Sequence, residues 1–423
     1  MELSRFGEKF TARTGILELM EDLGKAADGR EHMYMLGGGN PALIPEVCDL
    51  WRDRMTGILK CADQFERMLG CYDTAKGNRR FAEALAGLLS DNYGWSVTPE
   101  NIAVTNGSQI AFFYLLNMFG GTYSDGRKKK ILFPMCPEYI GYADQSVEDR
   151  TYVSCRPSIE QLDSRTFKYH VDFSRLHVGD DVAALCVSRP TNPTGNVLTD
   201  DELGRLSEIA AEKGIPLMVD SAYGLPFPGI VFADAQPFWN ENVILGMSLS
   251  KIGLPSVRSG IVVAAKEIID AITSVNAICS LATGSIGQAI LEPLVRSGEV
   301  IRVAQDLVKP FYDKKAKQAI RWLEEALDGV CDYSIHKAEG AFFLWIWFKD
   351  LPVTAAQLYE RLKRRNVLVI PGHHFFFGLE EDWGHSNECI RINYSQDEQD
   401  VRNGIEQIGW LIKDLSNENT ASK

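Results

Sequence analysis

The sequence has no apolar stretch long enough to cross a bilayer, no Cys-x-x-Cys pair, no internal repeat and no excess of positive charge. Each absence excludes something. The most apolar stretches, Ile110 to Gly121 and Ala341 to Phe348, fall well short of the ~18 residues that a membrane helix needs. The opening Met-Glu-Leu-Ser-Arg-Phe-Gly-Glu-Lys-Phe carries charges where an export signal needs an apolar run, so a cytoplasmic protein with no membrane partner is expected. Lys and Arg number 44 against 57 Asp and Glu, a net charge of −13 that suits a phosphate backbone poorly and argues against nucleic acid as a partner. The 9 cysteines are odd in number and scattered from Cys48 to Cys389, which reads as reduced, packed thiols.

What is present is the material of a large core. At 423 residues, 45% of them hydrophobic, the chain is about three times the ~150-residue length of a single domain, so two domains, or one with a lobe attached, are expected. Between about residues 100 and 265, short apolar runs alternate with helical patterns; the runs are Ile102 to Thr105, Lys130 to Phe133, Val182 to Val187, Ile215 to Val219, Val243 to Met247 and Gly260 to Val263. Arg127-Lys-Lys-Lys130, just before one of them, reads as a solvated turn. Thr199-Asp-Asp-Glu202 has the form of a capping box, and Leu203, Leu206, Ile209 and Ala210 follow at helical spacing until Gly214. Such strand–helix alternation predicts a largely parallel sheet between helices, with ligands outside the carboxyl ends of its strands. From about 286 to 328 the pattern is helical, and the β-like runs Tyr333 to His336, Ala341 to Phe348, Val367 to Ile370 and Cys389 to Tyr394 then predict a smaller α+β lobe.

Three successive strands of the first region deliver polar groups to one edge. Val187 is followed by Ser188-Arg-Pro-Thr-Asn-Pro-Thr-Gly195, the next strand ends at Asp220-Ser-Ala-Tyr223, and the third runs into Ser248-Leu-Ser-Lys251 with Arg258 beyond. A lysine at a strand end can be partly desolvated, which lowers its pKa and frees the neutral amine to attack a carbonyl. Upstream, Ile102 to Thr105 leads through Asn106-Gly-Ser-Gln109 into a helix, whose N-terminal N–H groups suit a phosphate. His373 and His374 are adjacent, so they project differently, and no third ligand accompanies them; no metal site is expected.

In order and spacing, Asn192-Pro-Thr-Gly195, Asp220-x-x-Tyr223, Ser248-x-Ser-Lys251 and Arg258 with Gly260 resemble the fold-type I pyridoxal-phosphate aminotransferases. The resemblance implies an α/β fold: a large cofactor-binding domain over 48–295, its mostly parallel sheet between helices, and a smaller α+β domain formed by 296–423 with the N-terminal segment 1–47. It implies pyridoxal 5'-phosphate as cofactor, with Lys251 forming its covalent imine linkage. Asp220 would keep the pyridine nitrogen protonated, while Asn192 and Tyr223 hydrogen-bond the phenolate oxygen. Arg258, Ser248, Ser250 and the turn Gly107, Ser108, Gln109 would hold the phosphate, and Tyr139 in Pro137-Glu-Tyr-Ile-Gly-Tyr142 would stack on the ring. Tyr72, in Cys71-Tyr-Asp-Thr-Ala-Lys-Gly77, would reach the neighbouring subunit's phosphate, which implies a homodimer. Arg391 would bind the substrate carboxylate, and the segment Leu36-Gly-Gly-Gly39-Asn-Pro41 would close over the substrate. Pro371-Gly-His-His-Phe-Phe-Phe377 matches a substrate-facing loop, with Phe375 or Phe376 at the pocket.

Longer stretches, among them Phe133-Pro-x-x-Pro-Glu-Tyr-Ile-Gly-Tyr-Ala-Asp144, Lys168-Tyr-His-Val-Asp-Phe173 and Tyr223-Gly-x-Pro-Phe-Pro-Gly-Ile230, resemble a bacterial branch of that family. That branch implies small amino acids and 2-oxo acids as partners: L-valine and pyruvate exchange an amino group in two half-reactions, giving 3-methyl-2-oxobutanoate and L-alanine. Two rival readings share part of this constellation. A lyase or synthase of the same fold would need no keto-acid acceptor, and a non-catalytic sensor on this fold would need an added DNA-binding segment.

Overall fold

Alternation along the strands of the larger sheet shows why both of its faces are covered. In Val182–Ser188, Leu185 and Val187 enter one apolar cluster while Ala184 and Cys186 enter another; Leu217 and Val219 likewise oppose Met218, and Val243 and Leu245 oppose Ile244. A strand reading as one unbroken apolar run can be stable only between two layers. The computed structural model describes residues 1–12, 14–15, 17, 20–22, 24 and 32–421.

The larger sheet has eight strands, ordered Ile102–Thr105, Gly260–Val263, Val243–Ser248, Leu217–Asp220, Val182–Ser188, Lys128–Phe133 and Gly121–Thr122, with Tyr152–Ser154 also paired to Lys128–Phe133. Val182–Ser188, Leu217–Asp220 and Val243–Ser248 pair in parallel, with Val219 opposite both Val187 and Leu245. Gly260–Val263 runs antiparallel to both neighbours, so Ile102–Thr105 again points the same way as the central strands. Lys128–Phe133 is parallel to Val182–Ser188, and Tyr152–Ser154 to Lys128–Phe133, so six carboxyl ends share one edge. The Arg127–Lys130 charge run is not a turn: the strand begins at exposed Lys128 and passes through half-buried Lys129 and Lys130 into buried Ile131, Leu132 and Phe133.

The crossover Asp200–Glu212 starts as its sequence predicts. Thr199 Oγ1 accepts from Glu202 N at 3.1 Å and Glu202 Oε2 accepts from Thr199 N at 2.8 Å. Gly214, at φ 64°, turns the chain out of the helix in a conformation that a side chain resists. The helical stretch after 286 comprises Ile286–Arg296, Glu299–Arg302 and Lys309–Leu327, with one wide turn, Val303–Val308, just before Pro310. Proline lacks the N–H that would continue the regular ladder, which accounts for the irregular turn there.

A second sheet of six strands is ordered Ile370–Pro371, Cys389–Asn393, Phe343–Phe348, Tyr333–His336, Thr166–His170 and Ser158–Gln161. The last two strands fall inside the span 48–295, yet they extend the second sheet through the pairing of Thr166 with Ile335. The N-terminal segment joins the same lobe: Tyr34–Met35 pairs in parallel with Val367–Leu368, and Leu36 is fully buried. Helices Pro45–Lys60, Ala62–Gly70 and Arg79–Tyr93 complete the region before the larger sheet. No described helix is long and apolar enough to cross a membrane.

Candidate active site

The shared strand edge opens onto a cavity of about 210 Å³ that takes its walls from both sheets and from the N-terminal segment. Lys251 sits in the turn Ser250–Ile252 directly after the strand Val243–Ser248. Its Nζ donates to the Gly39 carbonyl at 2.8 Å and lies 5.1 Å and 5.4 Å from the Tyr223 and Phe342 ring centres. Burial, followed by the charges of Arg391 and Arg258, brings its pKa down to about 8 against the opposing pull of Asp220. That value keeps a sizeable neutral fraction near neutral pH, which a nucleophile and a proton carrier both need.

Asp220 ends the neighbouring strand and lines the same cavity. Its Oδ1 accepts from Ala222 N at 2.9 Å and its Oδ2 accepts from Tyr142 Oη. Burial raises its pKa, while these two donors and Lys251 oppose the rise. Tyr142 is the partner that the sequence reading passed over. The signal was present in Tyr139-Ile-Gly-Tyr142: the short helix Ile140–Ala143 brings the two rings edge-on at 5.2 Å, so one faces the cavity while the other reaches beneath Asp220. Gly141 permits this, since a Cβ there would stand 2.3 Å from the Tyr139 ring.

At the other end of the cavity, Gly107 precedes the helix Ser108–Phe119 and supplies no side-chain cap. A Cβ on Gly107 would fall 2.3 Å from Arg258 Nη2, and one on Gly260 would fall 2.4 Å from Ser108 N. The two glycines thus let a guanidinium lie against a helix N-terminus. Arg258 itself adopts φ 48°, a left-handed conformation that costs a residue with a side chain of order 1–3 kcal/mol and marks a position held for function. Ser108, Gln109, Ser248 and Ser250 line the cavity beside it.

Arg391 rises from the strand Cys389–Asn393 of the second sheet and is buried. Its Nη1 donates to Asn192 Oδ1 at 2.6 Å and its Nη2 to the Gly37 carbonyl at 2.6 Å, while Nε finds no partner among the described residues. Burial lowers its pKa to about 10, with Tyr223 and Tyr139 opposing, which leaves it charged at neutral pH. The glycine segment is strapped over the cavity by its carbonyls. Gly37, Gly38, Gly39 and Asn40 accept in turn from Arg391, Asn393, Lys251 and Ser395.

The cavity therefore gathers Lys251, Asp220, Tyr223, Asn192, Tyr139, Ser108, Gln109, Ser248, Ser250, Arg258, Gly39 and Arg391, with Gly107 packed behind Arg258. Tyr72 is not among them; it is 85% exposed on the loop after Ala62–Gly70. Phe375 and Phe376 do not face the cavity. Phe375 stacks behind Arg391, 5.5 Å from its guanidinium, because the loop is tied to the second sheet; Met20 and Ile140 provide the apolar wall instead. His373 and His374 stack on each other at 4.0 Å beside a separate cavity, and no cluster of possible metal ligands exists among the described residues.

This donor set fits pyridoxal phosphate. An uncapped helix N-terminus, a guanidinium and two serine hydroxyls suit a dianion at one end, a buried carboxylate suits a ring N–H at the other, and an amine stands between.

The comparison with known proteins agrees with the geometry. The family model for aminotransferase class I and II matches residues 58–408. The chain is 49% identical over 416 residues, 98% of each protein, to the valine–pyruvate aminotransferase of Escherichia coli (strain K12). It is similar to the crystal structure of a putative amino-acid aminotransferase from Psychrobacter arcticum 273-4, with a TM-score of 0.96, 44% identity and 99% of both chains covered. It is also similar to that of valine–pyruvate aminotransferase from Salmonella typhimurium LT2, with a TM-score of 0.87, 46% identity, and 96% of this chain and 100% of the other covered. With a lysine, a carboxylate and a buried arginine converging where the family model and these relatives coincide, the chain belongs to the class I and II aminotransferases, enzymes that use pyridoxal phosphate.

Proposed function

We propose that this protein transfers the amino group between L-valine and pyruvate, giving 3-methyl-2-oxobutanoate and L-alanine. The observation that carries the reading is that Lys251, just after a strand of the larger sheet, and Arg391, on the second sheet, face one cavity to which Met20 and Ile140 add apolar surface. That pairing suits an α-amino acid with an aliphatic side chain, and the identity to valine–pyruvate aminotransferase over 98% of the chain supports it.

When bound, pyridoxal phosphate supplies an aldehyde that exchanges amino groups and a ring that accepts the electrons left as the substrate Cα loses its proton. The chain's residues do the rest. Arg391, oriented by Asn192 and Gly37, receives the substrate carboxylate and so fixes which Cα bond faces the lysine. Lys251, with its lowered pKa, takes the Cα proton and later returns one. Asp220, itself held by Tyr142 and Ala222, would keep a proton on the ring nitrogen. Asn192 and Tyr223 would hydrogen-bond the ring's oxygen, Tyr139 would cover the ring, and Arg258, Ser248, Ser250 and the turn Gly107 to Gln109 would hold the phosphate. Discrimination by an apolar wall is shallow, about 1–3 kcal/mol per methylene, so neighbouring aliphatic amino acids are expected to react more slowly without being excluded.

The same reading makes the protein a cytoplasmic homodimer with Tyr72 reaching across to the neighbouring site. Tyr72 is exposed together with Leu69, Ile278 and Leu281, which a second copy would cover. Sedimentation at the monomer mass would remove this part of the reading.

The test is the absorption spectrum of the cofactor-loaded protein. L-valine alone is expected to convert the band of the lysine-linked cofactor to that of its amine form, and pyruvate to restore it. A lysine-linked band that valine leaves unchanged would end the substrate assignment. A Lys251→Ala protein that still turns over would end the mechanism.

A further inference from the structure

One buried acid beside the cavity has no part in the chemistry above. Glu138 is 1% exposed, and its carboxyl group gathers three donors from two elements. Ser188 N reaches Oε1 at 2.8 Å; Ser188 Oγ and Tyr139 N reach Oε2 at 2.7 Å and 3.1 Å. Its own N–H donates to the Phe375 carbonyl at 2.9 Å, on the loop behind Arg391. Ser188 is the last residue of the strand Val182–Ser188, its carbonyl accepts from Thr191 Oγ1 at 3.0 Å, and the loop to Asn192 follows. Glu138 is therefore the point at which the backbone of the ring-covering tyrosine, the root of the Asn192 loop and the loop behind Arg391 meet.

A structural staple in this place needs no charge, since a serine or an amide could accept one of these bonds. A carboxylate accepts all of them at once, and it does so on Ser188, the residue paired with Asp220 across the neighbouring strands. Tyr142, Cys186 and Cys136 feel its charge, it feels that of Asp220, and none of these four groups is cationic. Burial pushes the Glu138 pKa up to about 7 with the three donors opposing, so those donors hold the carboxylate form against burial and it is fully present only above neutral pH.

We propose that Glu138 is a positioning residue for the aminotransferase: its carboxylate clamps Tyr139 to Ser188 and adds to the negative field that Asp220 presents to the cofactor ring. This rests on the reading of the cavity as the pyridoxal-phosphate site and is independent of which amino acid is the substrate.

The experiment uses the full-length, cofactor-loaded protein and no substrate. In Glu138→Gln the amide can still accept from Ser188 N, but it turns donors toward Ser188 Oγ and Tyr139 N and removes the charge. Cofactor affinity, titrated by fluorescence, is expected to fall about tenfold, the size of one lost hydrogen bond to a charged group. The pH at which the bound cofactor's visible absorption changes is expected to move down, because a lost negative charge disfavours the protonated form of the cofactor. Ser188→Ala keeps the charge and removes one donor; a smaller loss of affinity is expected, with a much smaller movement of the absorption change. Unchanged affinity and an unchanged absorption titration in folded Glu138→Gln would overturn the proposal. Should that variant not fold, unchanged affinity in Ser188→Ala would overturn the clamp. A wild-type protein that takes up no cofactor would instead overturn the reading of the cavity itself.

Discussion

A carboxylate below a cofactor ring works only while it stays charged, and in this fold that depends on a tyrosine 78 positions away. Asp220 is buried, which favours its neutral form, and Tyr142 Oη and Ala222 N oppose that tendency. Tyr142→Phe removes one donor without changing shape, so Asp220 should take up a proton more readily and grip a ring N–H less firmly. Cofactor affinity should drop about tenfold or more, the ~1–3 kcal/mol cost of leaving a buried acceptor short of a donor, while the fold persists. Fluorescence titration with pyridoxal phosphate checks this; undiminished affinity would show that Ala222 N alone suffices. Residues such as Lys251, Asp220 and Asn192 were legible in the sequence because each follows an apolar run that announces a strand end. Tyr142 and Gly37 were not, because what matters about them is a partner: Asp220 for one, and for the other Arg391, 354 positions along the chain. Local pattern carries no information about which distant groups meet.

At the scale of elements, a glycine at a helix start is what lets Arg258 lie against that helix. Gly107 has φ 96° and stands so close to Arg258 that a Cβ would overlap Nη2. Gly107→Ala should strain the turn and push the guanidinium away from the helix N-terminus, lowering phosphate-ester affinity by more than tenfold while leaving the melting temperature nearly unchanged. Calorimetric titration with pyridoxal phosphate, compared with the phosphate-free aldehyde, isolates the effect: only the former should weaken. Loss in both alike would locate the damage elsewhere. The same distinction explains which elements the sequence announced. Asp200–Glu212 carries both its cap and its apolar stripe in the local sequence. Ser158–Gln161, by contrast, buries no residue fully, and Thr166–His170 finds its place through a parallel pairing with Tyr333–His336, far along the chain. A short strand with no apolar alternation and a remote partner leaves no periodic trace.

The whole molecule works only if its two sheets hold Lys251 and Arg391 at a fixed separation, and one buried ion pair sits where the sheets meet. Lys168, on the strand Thr166–His170 of the second sheet, has its ammonium against Glu339 and donates to Asn196 Oδ1 at 3.1 Å and the Val197 carbonyl at 3.0 Å. Glu339 accepts in turn from Val197 N at 3.1 Å. Residues 196 and 197 follow directly on the loop that bears Asn192, the residue orienting Arg391. Lys168→Met would leave Glu339 buried with only the half-exposed Lys337 as a cation nearby. Breaking one side of a buried pair costs about 3–5 kcal/mol, so the urea midpoint should fall at neutral pH, and the Michaelis constant for the amino acid should rise through Asn192 and Arg391. The pH dependence follows from Glu339. Burial raises its pKa, but Lys168, Val197 N and Lys337 together outweigh burial and hold it below the usual carboxylate value. The stabilisation is therefore complete above that ordinary value and is lost as pH falls through the lowered one. Wild type and variant should accordingly converge in stability in acid and diverge toward neutrality. Replacing both partners, as in Lys168→Met with Glu339→Leu, removes the uncompensated charge and should recover much of the lost stability. If the double variant regains stability while the Michaelis constant stays high, the pair serves to register the two sheets; if both recover together, it serves only to neutralise a buried charge.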